Sequence, residues 1–276
     1  TYDTYPYAAS MTSLGAFMPP WMFEGGVDEM MKRLNSRELR DKARYDMEHG
    51  GIKGWSNFYL TVGNWENVLM ASVGSEKNKW MEGKDIASLA KQEGKDTFEF
   101  CFDLLIEEEG KIQVIPFVMN QSEVDDIVLD PDTIIDSDSA DFANDGILNY
   151  GKPHPRAYGT TGILFRRYVR ELGALSLEDA VKKLTSLPAK RMGFGMERGI
   201  LAEGYYADIV IFDPETIADQ ADYVNPRRYT TGIDTVIVNG QIAMEHGEQL
   251  ESVHAGRVLR RKNTKDTSNR KDDLHV

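Results

Sequence analysis

An α/β fold is what this chain predicts, on three observations. The stretch "KIQVIPFVMN", residues 111 to 120, is a strong strand pattern, "SEVDDIVLD" after it reads as a short helix, and "TIIDSDS" at 133 to 139 is a second strand. Strand, helix and strand in that order imply a parallel pair. Amphipathic helical patterns share the first 198 residues with short strands, whereas the part from Gly199 holds only short strand-like runs between glycines.

The elements follow in order. "TYDTYPYAASMT" alternates aromatic and polar residues before Pro6, the end of a strand turning into a loop. "MPPWMFEGG" is a loop punctuated by proline and glycine, with Trp21, Met22 and Phe23 prone to exposure. Residues 27 to 48 carry Val27, Met30, Met31, Leu34 and Leu39 at helical spacing, interrupted by "NSRE", a second N-cap. "NFYLTVG" is a short strand, and "KDIASLAKQEG" and "DTFEFCFDLLIEEEG" are amphipathic helices stopped by glycine. Ser122 caps the short helix before "TIIDSDS".

A long loop over residues 140 to 161 precedes the helix "GILFRRYVRELG", with Leu164, Tyr168 and Leu172 on one face and Gly173 as its stop. "SLEDAVKKLTSLPAKRMG" is another helix, opened by the Ser176 and Asp179 capping pattern. Beyond Gly199, "GILAEGYYADIVIFDPET", "IDTVIVNGQIAMEHGE" and "GRVLRR" are strands of a small β unit ending near residue 261. Residues 262 to 276 read as a polar, disordered tail.

Composition removes several function classes. Of 276 residues, 41% are hydrophobic and 28% charged, as in soluble globular proteins. A net charge of −13 argues against a nucleic-acid partner, which needs a basic footprint. No apolar run approaches the length of a membrane-spanning helix. The single cysteine, Cys101, permits no intrachain disulfide, fits a reducing and cytoplasmic compartment, and reads as a small buried hydrophobe. The chain opens Thr1-Tyr2-Asp3 without methionine or leader, so an N-terminal part is expected to be missing and a signal peptide on the parent stays open. Nothing in the sequence sets an oligomeric state.

Chemistry concentrates at one point. Thr133-Ile134-Ile135 runs directly into Asp136, Ser137 and Asp138. Functional side chains gather at the C-terminal ends of strands in parallel α/β arrays, which makes these acids site candidates. A solvated polar turn is the competing reading. The five histidines form no HxH, HxxxH or HxxE pair, whereas a self-contained zinc site needs three or four convergent ligands. His154 by itself reads as structural. No G-x-S-x-G elbow is present, and Gly193 and Gly195 follow a helix rather than a strand, against a dinucleotide loop.

Longer stretches carry a resemblance. "YGKPHPRAYGTTGILFRRYVRELG" and the segment after it, through "RGILAEGYYADIVIFD", resemble the C-terminal half of the D-aminoacylases, the N-acyl-D-amino-acid deacylases of the amidohydrolase superfamily. "DTYPY" at 3 to 7, "MPPWMFEGG", "SDS" at 137 to 139, "GIDTVIVNGQ" and "AGRVLRR" are similar to further pieces of that family. The HPRxYGT loop joined to a YVRE helix is the narrow signal. "RGILAEGYYADIVIFD" supports the superfamily alone.

The resemblance implies a metal-dependent (β/α)8 barrel, of which this chain supplies the last strands, with an insertion over about 14–110. Residues 1–198 are then barrel, and 199–261 contribute to a small β-sandwich. The implied reaction is zinc-dependent hydrolysis of the amide of an N-acyl-D-amino acid, a small-molecule substrate, with most metal ligands upstream of Thr1. Cyclic amide hydrolysis of the hydantoinase or dihydroorotase kind is the rival chemistry, and a fragment inactive by itself is the rival class. By resemblance Asp138 is the aspartate after strand eight, the proton shuttle and one donor to the metal. Tyr5 is the tyrosine that holds the substrate's α-carboxylate. Asp136 stands where the family usually has glycine, and it either raises the pKa of Asp138 or, as preferred here, pairs with a base in the helix layer. His154, Pro155 and Arg156 are expected to anchor the loop after strand eight. Met11, Trp21, Met22 and Phe23 serve either a hydrophobic pocket or the core. Arg33, Arg37 and Arg40 are candidates for a carboxylate-binding arginine that no motif places.

Overall fold

In the computed structural model, which describes residues 1–260, the chain opens with β1 (Tyr2–Thr4) and a short β2 (Thr12–Ser13). Two 3₁₀ turns, Leu14–Phe17 and Pro20–Phe23, lead into α1 (Val27–Leu34) and α2 (Arg37–His49). The break between the helices is the expected one, with Ser36 Oγ accepting from the Leu39 N–H at 3.4 Å. Residues 58–62, expected as a strand, form the helix α3 (Phe58–Val62). Asn57 Oδ1 accepts from the Leu60 N–H and Gly63 ends the turn at φ 76°. Caps at both ends outweigh the β preference of Phe, Tyr, Thr and Val over so short a run.

The strand of this region is β3 (Val68–Val73), for which the sequence makes no prediction. After it come α4 (Ile86–Gln92) and α5 (Thr97–Glu107), capped by the Asp85 and Asp96 side chains. β4 (Ile112–Pro116) then pairs antiparallel with both β2 and β3, giving the order β2-β4-β3. A core that includes Leu14, Phe17, Met30, Leu34, Met47, Trp65, Phe98 and Phe102 fills this module. Met22 is fully buried in it and Trp21 and Phe23 pack against it, so these three serve the core and not an exposed loop. Met11 packs with Ala9, Ala71 and Ile115. Cys101 is fully buried, and burial pushes its thiol pKa up.

α6 (Gln121–Leu129) is capped by Asn120, whose Oδ1 accepts from the Ser122 N–H at 2.9 Å, and not by Ser122 itself. β5 (Thr133–Ile135) is three residues long and pairs parallel with β1. The strand–helix–strand step over 111–139 is therefore not a βαβ unit: both edges of β4 are taken by β2 and β3, and the parallel partner of β5 is the head of the chain. Among the described residues parallel pairing is confined to β1 and β5.

The next helix, α7 (Arg156–Ile163), starts at Arg156 and not at Gly162, and continues as a π-helical stretch over Leu164–Glu171. Leu164 and Tyr168 are fully buried, whereas Leu172 is half exposed and off the packed face. α8 (Leu177–Leu184), with Ser176 Oγ accepting from the Asp179 N–H, is separated at Thr185 from α9 (Ser186–Met192), so the expected single helix is two. β6 (Ile209–Phe212), β7 (Ile233–Val238), β8 (Gln241–Glu245) and β9 (Glu248–Gln249) form one antiparallel sheet in that order. Residues 256–260, expected as part of a strand, carry none, and the expected polar tail lies outside the described residues. A second core of Val124, Val128, Ile135, Leu164, Phe165, Tyr168, Ala180 and Ile217 joins β5 to the helices that follow. The architecture is mixed α/β with small sheets, and among the described residues no helix is long and apolar enough to cross a membrane.

Gly162 sets how closely α7 meets the segment before the last strands. A Cβ there would lie 2.2 Å from the Asp219 backbone nitrogen and 2.6 Å from Ala218 C, so backbone would have to move. G162A is expected to cost about 3 kcal/mol, whereas G256A, which meets nothing within 4 Å, stays within about 0.5 kcal/mol. Urea unfolding of the two variants beside the unaltered protein measures this.

Candidate active site

Two strand ends and one helix start converge. β1 runs into Tyr5, β5 runs into Asp136 and Asp138, and α7 begins at Arg156. The Asp136 N–H donates to Thr4 O at 3.0 Å, which continues the parallel pairing one residue past β5. Asp138 then turns into the left-handed region, φ 40°, unusual for a residue with a Cβ. That turn exposes its carboxylate, with the side chain 65% accessible.

Arg156 lies beneath this corner and is buried. Its Nη2 donates to the Asp138 carbonyl and sits 2.9 Å from Asp138 Oδ2. The guanidinium carbon lies 4.3 Å from the centroid of the Tyr5 ring, in cation–π contact. One arginine thus touches both residues singled out from the sequence. Burial pushes the Tyr5 phenol pKa up, against the pull of Arg156, so the hydroxyl remains a hydrogen-bond donor at neutral pH.

His154 completes the corner from behind. Its Nδ1 accepts from the Arg156 backbone N–H at 3.0 Å, and its Nε2 therefore carries the proton and donates to Ala9 O at 3.1 Å. Tyr7 and Tyr223 meet the ring edge-on at 5.2 Å, and Tyr5 lies at 6.1 Å. Burial and the neighbouring Arg156 lower the imidazole pKa to about 3. His154 is a neutral structural histidine, in a tyrosine cage that the sequence reading misses because Tyr223 is remote along the chain.

Among the described residues Asp136 pairs with no base. Its Oδ1 is buried without a hydrogen-bond partner, and burial, Asp3 and Asp138 together raise its pKa while Arg156 opposes them. Asp141 and Asp145 are exposed loop residues. The arginines of the helical module are spent within it. Arg33 donates to Met22 O and Glu24 O, Arg37 pairs with Asp41, and Arg40 bonds Leu34 O, Glu99 and Asp103. Among the described residues no three His, Cys, Asp or Glu side chains are placed to hold a metal ion. With Asp138 paired to a guanidinium, they do not make a metal site by themselves.

The chain is similar to known proteins in sequence and in fold. The amidohydrolase family model matches residues 76–244. A D-aminoacylase of Alcaligenes xylosoxydans xylosoxydans is 36% identical over 181 residues, which is 66% of this chain and 34% of that protein. A solved D-aminoacylase with a binuclear metal center superposes with a TM-score of 0.66 at 29% identity, covering 94% of this chain and 42% of its own. The N-acyl-D-glutamate deacylase of Bordetella bronchiseptica, complexed with zinc and a phosphonate inhibitor that mimics the tetrahedral intermediate, gives 0.61 at 28% identity, with coverages of 90% and 41%. The chain spans about a third of the length of the D-aminoacylase it matches.

The buried neutral histidine has a measurable consequence. From the ordinary value of 6.5 down to about 3, the unfolded chain binds a proton at residue 154 and the folded chain does not. Stability from this residue is therefore held above 6.5 and is lost as pH falls, by about 1.4 kcal/mol per pH unit. H154Q removes that slope, so the stability difference between the two proteins changes with pH between 4 and 6.5 in urea titrations. Parallel pH profiles would show that His154 is not held neutral.

Proposed function

The chain belongs to the amidohydrolase family, and on that premise we propose that it forms the proton-transfer part of an N-acyl-D-amino-acid deacylase. The reaction is metal-dependent hydrolysis of the amide, giving a D-amino acid and a carboxylate. The observation that carries this reading is the joining of Tyr5 and Asp138 through Arg156, past the C-terminal ends of two parallel strands. Under it, β1 and β5 are neighbouring strands of a (β/α)8 barrel, residues from about 14 to 110 are an insertion, and 199–261 are part of a β-sandwich.

Each residue then has a task. The exposed Asp138 carboxylate takes a proton from the attacking water and returns it to the amide nitrogen as the C–N bond breaks, so that the amine leaves neutral. Tyr5 donates its phenolic O–H to the substrate's α-carboxylate without placing a positive charge beside the reacting carbonyl. Zinc, the cofactor expected here, supplies Lewis acidity toward the acyl oxygen and a more acidic water when bound. Asp138 is the single donor this reading assigns to it from the chain. The described residues supply no further group of donors beside it, so this reading requires histidine ligands from outside them.

In the protein carrying this chain, D138N is expected to lower kcat by about 10²–10⁴-fold. Y5F mainly raises KM. Steady-state assays of N-acetyl-D-methionine, N-acetyl-L-methionine and a hydantoin measure both effects and the stereochemistry. Turnover of the hydantoin alone would replace the deacylase with a cyclic amidase.

A further inference from the structure

We propose that Arg156 is the positioning residue of this site, holding Asp138 and Tyr5 in register with each other. The inference rests on the deacylase reading for its kinetic consequences, but its geometric part stands without it. A guanidinium that only stabilises a fold is surrounded by acceptors, as Arg227 is by the carbonyls of Ala143 and Gly151 and the Tyr158 hydroxyl. Arg156 is arranged otherwise. Among the described residues its Nη1 is buried with no hydrogen-bond partner, and the Oδ1 of Asp136, two residues before Asp138, is buried and unpartnered too. Nη2 meanwhile makes two contacts with one residue, Asp138, through its carbonyl and through its carboxylate.

The cation stacks on Tyr5 and grips Asp138, while Asp136 Oδ1 stays unpartnered. The grip falls on the residue whose backbone is at φ 40°, a conformation a non-glycine residue keeps when its surroundings impose it. Arg156 itself is fixed from behind, since its own N–H is spent on His154, and His154 on Ala9. The chain of contacts runs from the backbone beyond β1, through His154 and Arg156, to the acid beyond β5. A shorter cation, or none, frees residue 138 to relax out of the left-handed region and frees the Tyr5 ring to tilt.

The test uses R156K, R156A and D138N in the protein carrying this chain, with N-acetyl-D-methionine as substrate. R156K is expected to lose kcat by about 10²-fold, the scale of a catalytic group displaced by about an ångström. Ethylguanidinium added to the buffer restores part of the rate in R156A and none in D138N, which a general loss of folding would not show. Crystal structures of R156K and R156A give the second readout, with residue 138 expected to leave φ near 40° and the Tyr5 ring to move. An R156K with kcat within about threefold of the unaltered enzyme, or variant structures in which Asp138 and Tyr5 stay in place, overturn the proposal. An unaltered protein that turns over no N-acyl-D-amino acid overturns the deacylase reading instead, and the crystallographic readout then decides the role of Arg156 by itself.

Discussion

The rest of the structure depends on one long-range pairing, the parallel contact of β1 with β5, which sets Tyr2 opposite Thr133. Joining segments so far apart through a flexible chain costs loop entropy that grows with length. The intervening residues remove most of that cost by folding around their own core and their own β2-β4-β3 sheet. Their entry and exit are fastened side by side, with the Ser10 N–H donating to Pro116 O and the Met119 N–H to Ala8 O, both at 3.0 Å. The excursion leaves and returns through a narrow neck. β1 and β5 are therefore delivered as neighbours by backbone bonds, with little asked of the three-residue strands themselves.

The same neck supplies the anchor of the site. Ala9, between the two fastened residues, is fully buried and offers its carbonyl to His154, so the start of α7 is tied to the place where the helical module leaves the strand. From there Arg156 reaches the corner at Asp138. Module, strand pair and helix meet at one point, and a change of register in β1 would move Tyr5 and Ala9 together, because both follow the same short strand. This is why the buried imidazole is neutral. A charged one would have to give up the Arg156 N–H contact at Nδ1, in a setting where burial already disfavours charge.

Elements with caps and periodic apolar stripes were legible in the sequence. The split between α1 and α2 at Ser36, the glycine-stopped α4 and α5, and the Ser176 cap all follow from local chemistry that needs no partner. What failed was decided at a distance or by competing caps. The apolar run at 58–62 reads as strand until Asn57 and Gly63 are weighed as the ends of a helical turn. β4 and β5 look like one parallel unit because sequence order is visible and edge occupancy is not, and the partners of β4 are β2 and β3. At the site, Asp138 is picked out by a strand end and a resemblance, and Tyr5 by the resemblance alone. Their link through Arg156 is a tertiary fact with no local signature, and the bare Asp136 carboxyl is another.

Unsatisfied polar atoms mark the same corner by an independent route. Five buried side-chain atoms among the described residues lack a hydrogen-bond partner, and two of them, Asp136 Oδ1 and Arg156 Nη1, belong to the residues that follow β5 and open α7. Leaving such a group unpaired costs about 1–3 kcal/mol. Elsewhere the chain avoids that cost even for a buried charge. Glu108 receives the Ser75 N–H and hydroxyl and the Asn78 amide, which hold its carboxyl below the usual range despite burial. Asp136 Oδ1 and Arg156 Nη1 receive no such satisfaction among the described residues. Both atoms stay unpartnered beside an acid in left-handed backbone, a local cost that the rest of the fold has to carry.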